Sequence, residues 1–197
     1  MRRIPAWAVA SAGAAPVLLI GGWTLAASRQ PSSYSAIRDT ISALAARGAT
    51  DRLVMTAALA GLGVCHVTTA AGLRPAGRVG RAILGAGGVA TVLVAAFPQP
   101  AHGDSIAHTV AATASFAALG LWPAWAWLEE SPAGLLSRRA SYAAATVLLG
   151  LVGWFAAELG GAERGLAERA AAGAQALWPL AVVISCRWPG RGSLARG

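Results

Sequence analysis

The amino-acid sequence predicts an all-α protein: a polytopic transmembrane bundle of six helices with a short amphipathic helix in the first outer loop. Hydrophobic residues make up 56% of the 197 residues, charged residues only 12%, and the mean hydropathy is +0.56. Soluble domains carry about 25% charged residues, so roughly half of the usual surface charge is missing. This composition excludes an ordinary soluble enzyme and a disordered chain.

Six apolar stretches define the predicted spans, because a helix needs about 20 apolar residues to cross the hydrocarbon core. Helices are expected, since lipid offers no partner to unpaired backbone groups and no stretch alternates as a barrel strand would. The lipid bilayer is therefore the first partner, and residues 1–197 form one integral membrane domain. The spans are residues 5–27, 53–73, 79–97, 106–128, 140–157 and 166–186.

The net charge of +8 does not indicate nucleic-acid binding. All 16 basic residues are arginine, and they are scattered between apolar runs. A nucleic-acid surface would need a continuous basic stripe. We therefore predict no nucleic-acid partner.

The positions of the arginines predict the orientation in the membrane. With the N-terminus inside, ten arginines fall in inner segments and six in outer segments. Arginine accumulates on the cytoplasmic side, so both termini are predicted to be cytoplasmic in the inner (plasma) membrane of the cell. The inner residues are Arg2, Arg3, Arg74, Arg78, Arg81, Arg138, Arg139, Arg187, Arg191 and Arg196; the outer residues are Arg29, Arg38, Arg47, Arg52, Arg164 and Arg169.

The first outer loop contains an amphipathic pattern. Ile37, Ile41 and Leu44 recur at i, i+4 and i+7, which predicts a short helix lying on the bundle and ending at Gly48. On this loop, Arg38 and Asp39 are candidates for holding an anionic or polar ligand, and Ser42 is a candidate donor to it. The alternative is a surface helix with solvated charges.

A second polar group precedes the fourth span. Asp104 and His108 are four residues apart and share a helix face, so they are candidates for an acid–base pair. The alternative for Asp104 is a plain helix cap, a role that Ser105 could also fill. We predict no cofactor and no metal site, because two ligands are too few for zinc.

Glu168 and Arg169 open the last span. Glu168 is a third catalytic candidate; its alternative is a helix-surface pair with Arg164 at i, i+4. Arg169, a candidate ligand-binding residue, lies deeper and needs a partner, for which we expect the carboxylate of Asp39 or Asp104.

His66 lies near the middle of the second span, beside Thr68 and Thr69. Two interpretations apply to an ionisable group at this depth. It faces a cavity, or it hydrogen-bonds a neighbouring helix, and we expect the hydrogen bond.

The chain resembles the bacterial membrane protein family catalogued as domain of unknown function 998. The resemblance rests on three segments in order along nearly the whole chain: Tyr34-Ser35 through Leu44 with Gly48, Phe97-Pro98 followed by Asp104 and His108, and Gly165 through Arg169. Relatives often have an acid soon after the Phe-Pro pair, where this chain has Gln99. The resemblance implies about six spans and a membrane location. It implies no reaction.

Two classes of function fit this pattern best. The first is a membrane module whose outward-facing polar pocket binds a lipid headgroup or small molecule. The second is a membrane-embedded enzyme acting on a lipid or isoprenoid, with Asp104 and His108 as acid and base or as metal ligands. A transporter would need polar groups through the inner half of the spans. Only His66 and a few Thr and Ser residues lie there, which counts against a transporter.

The orientation predicts a cysteine-labelling pattern in intact cells. In a background without Cys65 and Cys186, a membrane-impermeant thiol reagent should modify Ser33→Cys, because the first loop is predicted to be outside. Ser137→Cys should stay unmodified until the cells are opened. The reverse pattern would overturn the orientation.

Overall fold

The computed structural model describes residues 3–127 and 134–187, which form seven α-helices and contain no strand. Six of these helices are long and apolar enough to cross a membrane, so the predicted fold class is confirmed. The predicted end of the fourth span at Leu128, with Arg2, Arg191 and Arg196, lies outside the described residues. The helices are α1 (Ala6–Ala27), α2 (Ile41–Leu44), α3 (Leu53–Gly72), α4 (Arg78–Ala96), α5 (Ile106–Leu121, continued by a 3₁₀ turn at Trp122–Trp125), α6 (Arg138–Ala157) and α7 (Arg164–Arg187).

The spans alternate in direction and give the bundle two faces. On the loop face, the backbone N–H of Arg47 donates to the Gln99 carbonyl oxygen at 3.0 Å. The loop between α1 and α3 therefore contacts the loop between α4 and α5. On the terminal face, where α1 begins and α7 ends, the Gly77 N–H donates to the Ala126 carbonyl oxygen at 2.8 Å. The loop face is the one that the arginine count predicts to be outside.

The helix in the first loop is shorter than its apolar pattern predicts. The Thr40 hydroxyl accepts from the Ala43 N–H at 3.0 Å and caps the helix, so α2 begins only at Ile41. Ile37 stays outside the helix with 54% of its surface exposed, and the helix ends at Leu44, before Gly48. Only Ile41 and Leu44 of the predicted apolar stripe are buried.

Two apolar clusters of buried side chains fill the bundle, one near each face. We call them the loop-face cluster and the terminal-face cluster. The α2 turn inserts into the first, and the 3₁₀ turn after α5 packs into the second. Large members of the loop-face cluster are Leu19, Ile41, Leu44, Met55, Leu59 and Leu62; those of the terminal-face cluster are Leu73, Leu84, Leu119, Trp122, Val182 and Val183.

Glycine permits a close crossing between α3 and α4. A Cβ at Gly88 would lie 2.6 Å from the Gly63 carbonyl oxygen, and a Cβ at Gly63 would lie 2.5 Å from the Gly88 carbonyl oxygen. Small residues let helices approach in lipid, where the hydrophobic effect does not drive helices together. This crossing therefore depends on the absence of both side chains.

A glycine-to-alanine comparison tests the crossing. Gly88→Ala should lower the free energy of unfolding by about 1–3 kcal/mol, because the added methyl meets backbone that has no room to move. Gly150→Ala is the control, since a Cβ there meets nothing within 4 Å. Thermal melting in detergent should show a loss for Gly88→Ala and no loss for Gly150→Ala; equal effects would contradict the assigned packing.

Candidate functional site

The first loop is bound along the beginning of α7 at the loop face. The Leu166 N–H donates to the Ile37 carbonyl oxygen at 3.0 Å, and Arg164 Nε donates to the Arg38 carbonyl oxygen at 2.8 Å. The helix begins at Arg164, two residues before the apolar stretch, so the Leu166 N–H lies in its first turn and has no partner within the helix. We call this contact the clamp; it comprises residues 34–42 and 164–169.

Arg169 is the centre of the clamp. Its half-buried guanidinium lies over the Trp23 ring, 6.0 Å from the centroid, and donates to four oxygen atoms of the loop and of its own helix. The acceptors are the carbonyl oxygens of Ala36, Asp39 and Gly165, at 2.8–2.9 Å, and the hydroxyl of Tyr34.

The prediction that Arg169 pairs with the carboxylate of Asp39 or Asp104 is wrong. The Asp39 carboxylate instead accepts from the Ser35 N–H at 2.8 Å and lies 4.0 Å from Arg164 Nη2. Asp104 is exposed, without a hydrogen bond or ion pair from its side chain to another described residue. Backbone carbonyls satisfy Arg169 because the loop passes directly across its guanidinium, which carries five N–H donors.

Glu168 caps α2 from a different helix. It is 3% exposed, and one carboxylate oxygen accepts from the Ile41 N–H while the other accepts from Ser42 Oγ at 3.2 Å. The first N–H groups of any helix lack partners within it. Glu168 and Ser42 are thus brought together in a contact that also satisfies the backbone of α2.

Tyr34 supplies the hydroxyl acceptor of the clamp. Its partial burial raises the pKa of the phenol, and this effect exceeds the opposing pull of the nearby Arg169 charge. The Tyr34 hydroxyl therefore stays protonated at neutral pH and serves Arg169 as a neutral acceptor.

Beside the clamp, at the loop-face ends of α3 and α4, lies a cavity of about 520 Å³. We call it the arginine cavity. Arg47, Arg52 and Thr56 line one part of it, and apolar side chains line the rest. The apolar lining consists of Leu53, Ala95, Ala96 and Pro98.

The two arginines of this cavity differ from three of the other four loop-face arginines, and the exposed Arg38 side chain, which has no partner in 3–127 or 134–187, lies outside the cavity lining. Arg29 is paired with Asp51 at 2.8 Å, and Arg164 and Arg169 are held in the clamp. The guanidinium groups of Arg47 and Arg52 have no hydrogen bond or ion pair with any residue in 3–127 or 134–187. Their donors are therefore free to bind a ligand.

The comparisons assign the chain to a family. The family described as "Protein of unknown function (DUF998)" matches residues 13–185. The chain belongs to this family. No curated protein and no solved structure matches it. The DUF998 match covers the clamp and the arginine cavity together, so both lie in the part of the chain that relates it to other members.

Asp104 and His108 of this DUF998 protein do not form the predicted acid–base pair. His108 is 4% exposed, and its Nδ1 lies 2.9 Å from the Phe97 carbonyl oxygen rather than against Asp104. Ser105, not Asp104, caps α5 by accepting from the His108 N–H. Arg38 takes part in the clamp through its carbonyl oxygen, and its own side chain is exposed. Among the described residues, no group of three or more His, Cys, Asp or Glu side chains is placed to hold a metal.

Sequence reasoning missed the roles of Tyr34, Arg47 and Arg52. The family resemblance included Tyr34, but nothing in its spacing indicated Arg169 as its partner. The arginines of the cavity were counted only as topological signals. Their free donors and their place in the cavity lining are recognised only from the structure, which gives partners to Arg29, Arg164 and Arg169.

Substitution of Arg169 tests the clamp. Arg169→Ala should lower the free energy of unfolding by about 2–3 kcal/mol, because four oxygen atoms lose a charged donor. Arg169→Lys should recover only part of this loss, since an ammonium cannot reproduce the planar array of donors.

Thermal melting in detergent provides the measurement, with Arg38→Ala as the control that removes an exposed loop-face arginine side chain. Adding Asp39→Ala to Arg169→Ala should not rescue stability, because the Asp39 carboxylate is not the partner. Rescue by Asp39→Ala, or full recovery with Lys, would contradict the assigned contacts.

Proposed function

We propose that this DUF998 protein binds the anionic headgroup of a membrane lipid in the arginine cavity of its loop face. The observation that carries the proposal is a cavity of about 520 Å³ lined by two arginines whose side chains have no hydrogen bond or ion pair with any residue in 3–127 or 134–187. We further propose that it does so in the inner membrane of a bacterium, with both termini in the cytoplasm and the cavity outside. The single chain acts here as a binding module without a chemical step.

The loop that carries both arginines is held from two sides. Gln30 on the α1 side exchanges two hydrogen bonds with the backbone of Thr50, at 2.9 and 3.2 Å. From the other side, the Gln99 carbonyl oxygen accepts from the Arg47 N–H at 3.0 Å. A backbone fixed at both ends reduces the entropy lost when a ligand binds. This anchoring supports the cavity as a prepared site.

The lining of the cavity fits a phosphate joined to an apolar chain. Guanidinium groups bind phosphate through parallel charge-assisted hydrogen bonds. Leu53, 67% exposed, and the neighbouring Ala95 and Ala96 present apolar surface at the ends of two membrane spans. A free phosphate would use the arginines alone, whereas a phospholipid would use both parts.

A lipid-modifying enzyme has less support. The acid and base predicted for such an enzyme, Asp104 and His108, do not contact each other. Glu168, the other catalytic candidate, has its carboxylate oxygens occupied by Ile41 and Ser42. The residues of the arginine cavity include no carboxylate or imidazole that could transfer a proton.

Lipid binding can be measured by native mass spectrometry of protein released from nanodiscs. We expect wild type to retain phosphatidylglycerol in preference to phosphatidylcholine. Arg47→Gln and Arg52→Gln should each reduce this retention about tenfold, the effect of losing a charge-assisted hydrogen bond. Arg38→Gln, which removes an exposed arginine of the same face, should retain lipid as wild type does.

Two outcomes would overturn the proposal. Equal losses in the Arg38, Arg47 and Arg52 variants would show that net charge, and not the cavity, attracts the lipid. Displacement of phosphatidylglycerol by millimolar inorganic phosphate, with equal retention of both lipids in its presence, would identify a soluble anion as the ligand.

A further inference from the structure

A layer of buried polar side chains crosses the bundle between the two apolar clusters. On α3, His66 lies between Leu62 of the loop-face cluster and Leu73 of the terminal-face cluster. Thr91, Ser115 and Gln175 are the buried polar residues nearest the middle of α4, α5 and α7. The six-helix bundle is therefore not uniformly apolar at its mid-depth.

Most of this layer is satisfied by contacts between helices. The hydroxyls of Thr91 and Ser115 lie 2.7 Å apart, and Gln175 Nε2 donates to the Phe116 carbonyl oxygen at 2.9 Å. Both ring nitrogens of His66 and the Oε1 atom of Gln175, by contrast, are buried without a hydrogen-bond partner in the described part of the chain. The expected helix-to-helix hydrogen bond of His66 is therefore wrong.

Unpartnered buried polar atoms require an explanation, because such groups are almost always hydrogen-bonded. A neutral imidazole has one donor and one acceptor nitrogen. The ligand that matches it must be small and must both accept and donate. Water meets these requirements, and buried water commonly joins such groups.

Of the two arginine-lined cavities beside α3, the one on the terminal face lies nearer to His66 along the helix. A cavity of about 370 Å³ between the adjacent ends of α3 and α4 is lined by Ala70, one helical turn from His66, and by Arg78 and Arg81. Next to Ala70, the Thr69 hydroxyl lies 3.4 Å from that of Ser11. Towards the loop face, the arginine cavity meets α3 at Thr56, ten residues from His66, with Leu59 and Leu62 of the loop-face cluster between them.

We propose that His66 binds water that enters the bundle from the terminal face. The site is separate from the arginine cavity, which opens at the loop face. Ionisable groups that meet water inside membrane spans are the usual sites of proton and solute movement. The hydrated imidazole therefore gives this fold an internal polar site, in addition to any lipid bound at its surface.

Cysteine accessibility tests the proposal in the full-length protein with Cys65 and Cys186 replaced by Ala. A small charged methanethiosulfonate should modify His66→Cys at least about tenfold faster than Leu62→Cys, because only a hydrated thiol forms the reactive thiolate. Leu62 is the matched control: it lies one turn away on α3 and is buried in the loop-face cluster.

Two exposed positions identify the face from which the reagent arrives. Arg74→Cys marks the terminal face and Ser33→Cys marks the loop face, in intact cells and in inside-out vesicles. We expect His66→Cys to react from the side on which Arg74→Cys reacts. Reaction as slow as that of Leu62→Cys, or reaction only from the side of Ser33→Cys, would overturn the proposal.

Thermal melting tests whether water reaches His66 without the need for a cysteine variant. If water satisfies His66, His66→Leu should lower the melting temperature, because the bound water loses its partner, and His66→Gln should lower it less. If the surroundings of His66 are dry, His66→Leu should raise the melting temperature, since an unsatisfied polar group is removed. A rise with His66→Leu would overturn the proposal even if the cysteine variant fails to fold.

Discussion

Backbone carbonyl groups near the membrane surface need donors, and arginine side chains supply them in this protein. At the loop face, Arg169 binds three carbonyl oxygens and Arg164 binds a fourth. At the terminal face, Arg81 donates to the carbonyl oxygens of Ala70 and Ala71, at 2.7 and 2.6 Å, where α3 ends. The last carbonyls of a helix have no partner within it and carry partial negative charge, so a guanidinium satisfies both their hydrogen bonding and their dipole.

This use of arginine places three of the 16 basic side chains of the protein against backbone carbonyl oxygens. Only two ion pairs occur among residues 3–127 and 134–187, and one of them is as long as 4.0 Å. Glu168 also pairs with the backbone, because its carboxylate accepts from the backbone N–H of Ile41. Charge in the clamp is therefore matched mainly to the peptide backbone, and the loop geometry, rather than acid–base pairing, determines which arginines remain free.

The parts of the structure that depend on chain composition were predictable, and the parts that depend on backbone geometry were not. The six spans follow from the length of the hydrocarbon core, so apolar runs located them closely. The helix in the first loop was predicted too long, because the Ile37 spacing fits a helix while the Thr40 cap prevents one from starting earlier. A carboxylate partner was predicted for Arg169 because acidic residues can be read from a sequence, whereas the positions of backbone carbonyl groups in space cannot.

The clamp also determines how the interior of the bundle is closed at the loop face. Its hydrogen bonds from Glu168 hold α2 in place, and α2 inserts Ile41 and Leu44 among Met55, Leu59 and other apolar side chains. Fully burying side chains of this size stabilises a protein by about 1.5–3 kcal/mol each relative to exposure in water. Water that reached His66 would therefore stop at the loop-face cluster for as long as the clamp holds. Passage to the loop face would require α2 to leave the cluster, and the contacts of Glu168 and Arg169 are the ones that resist that movement.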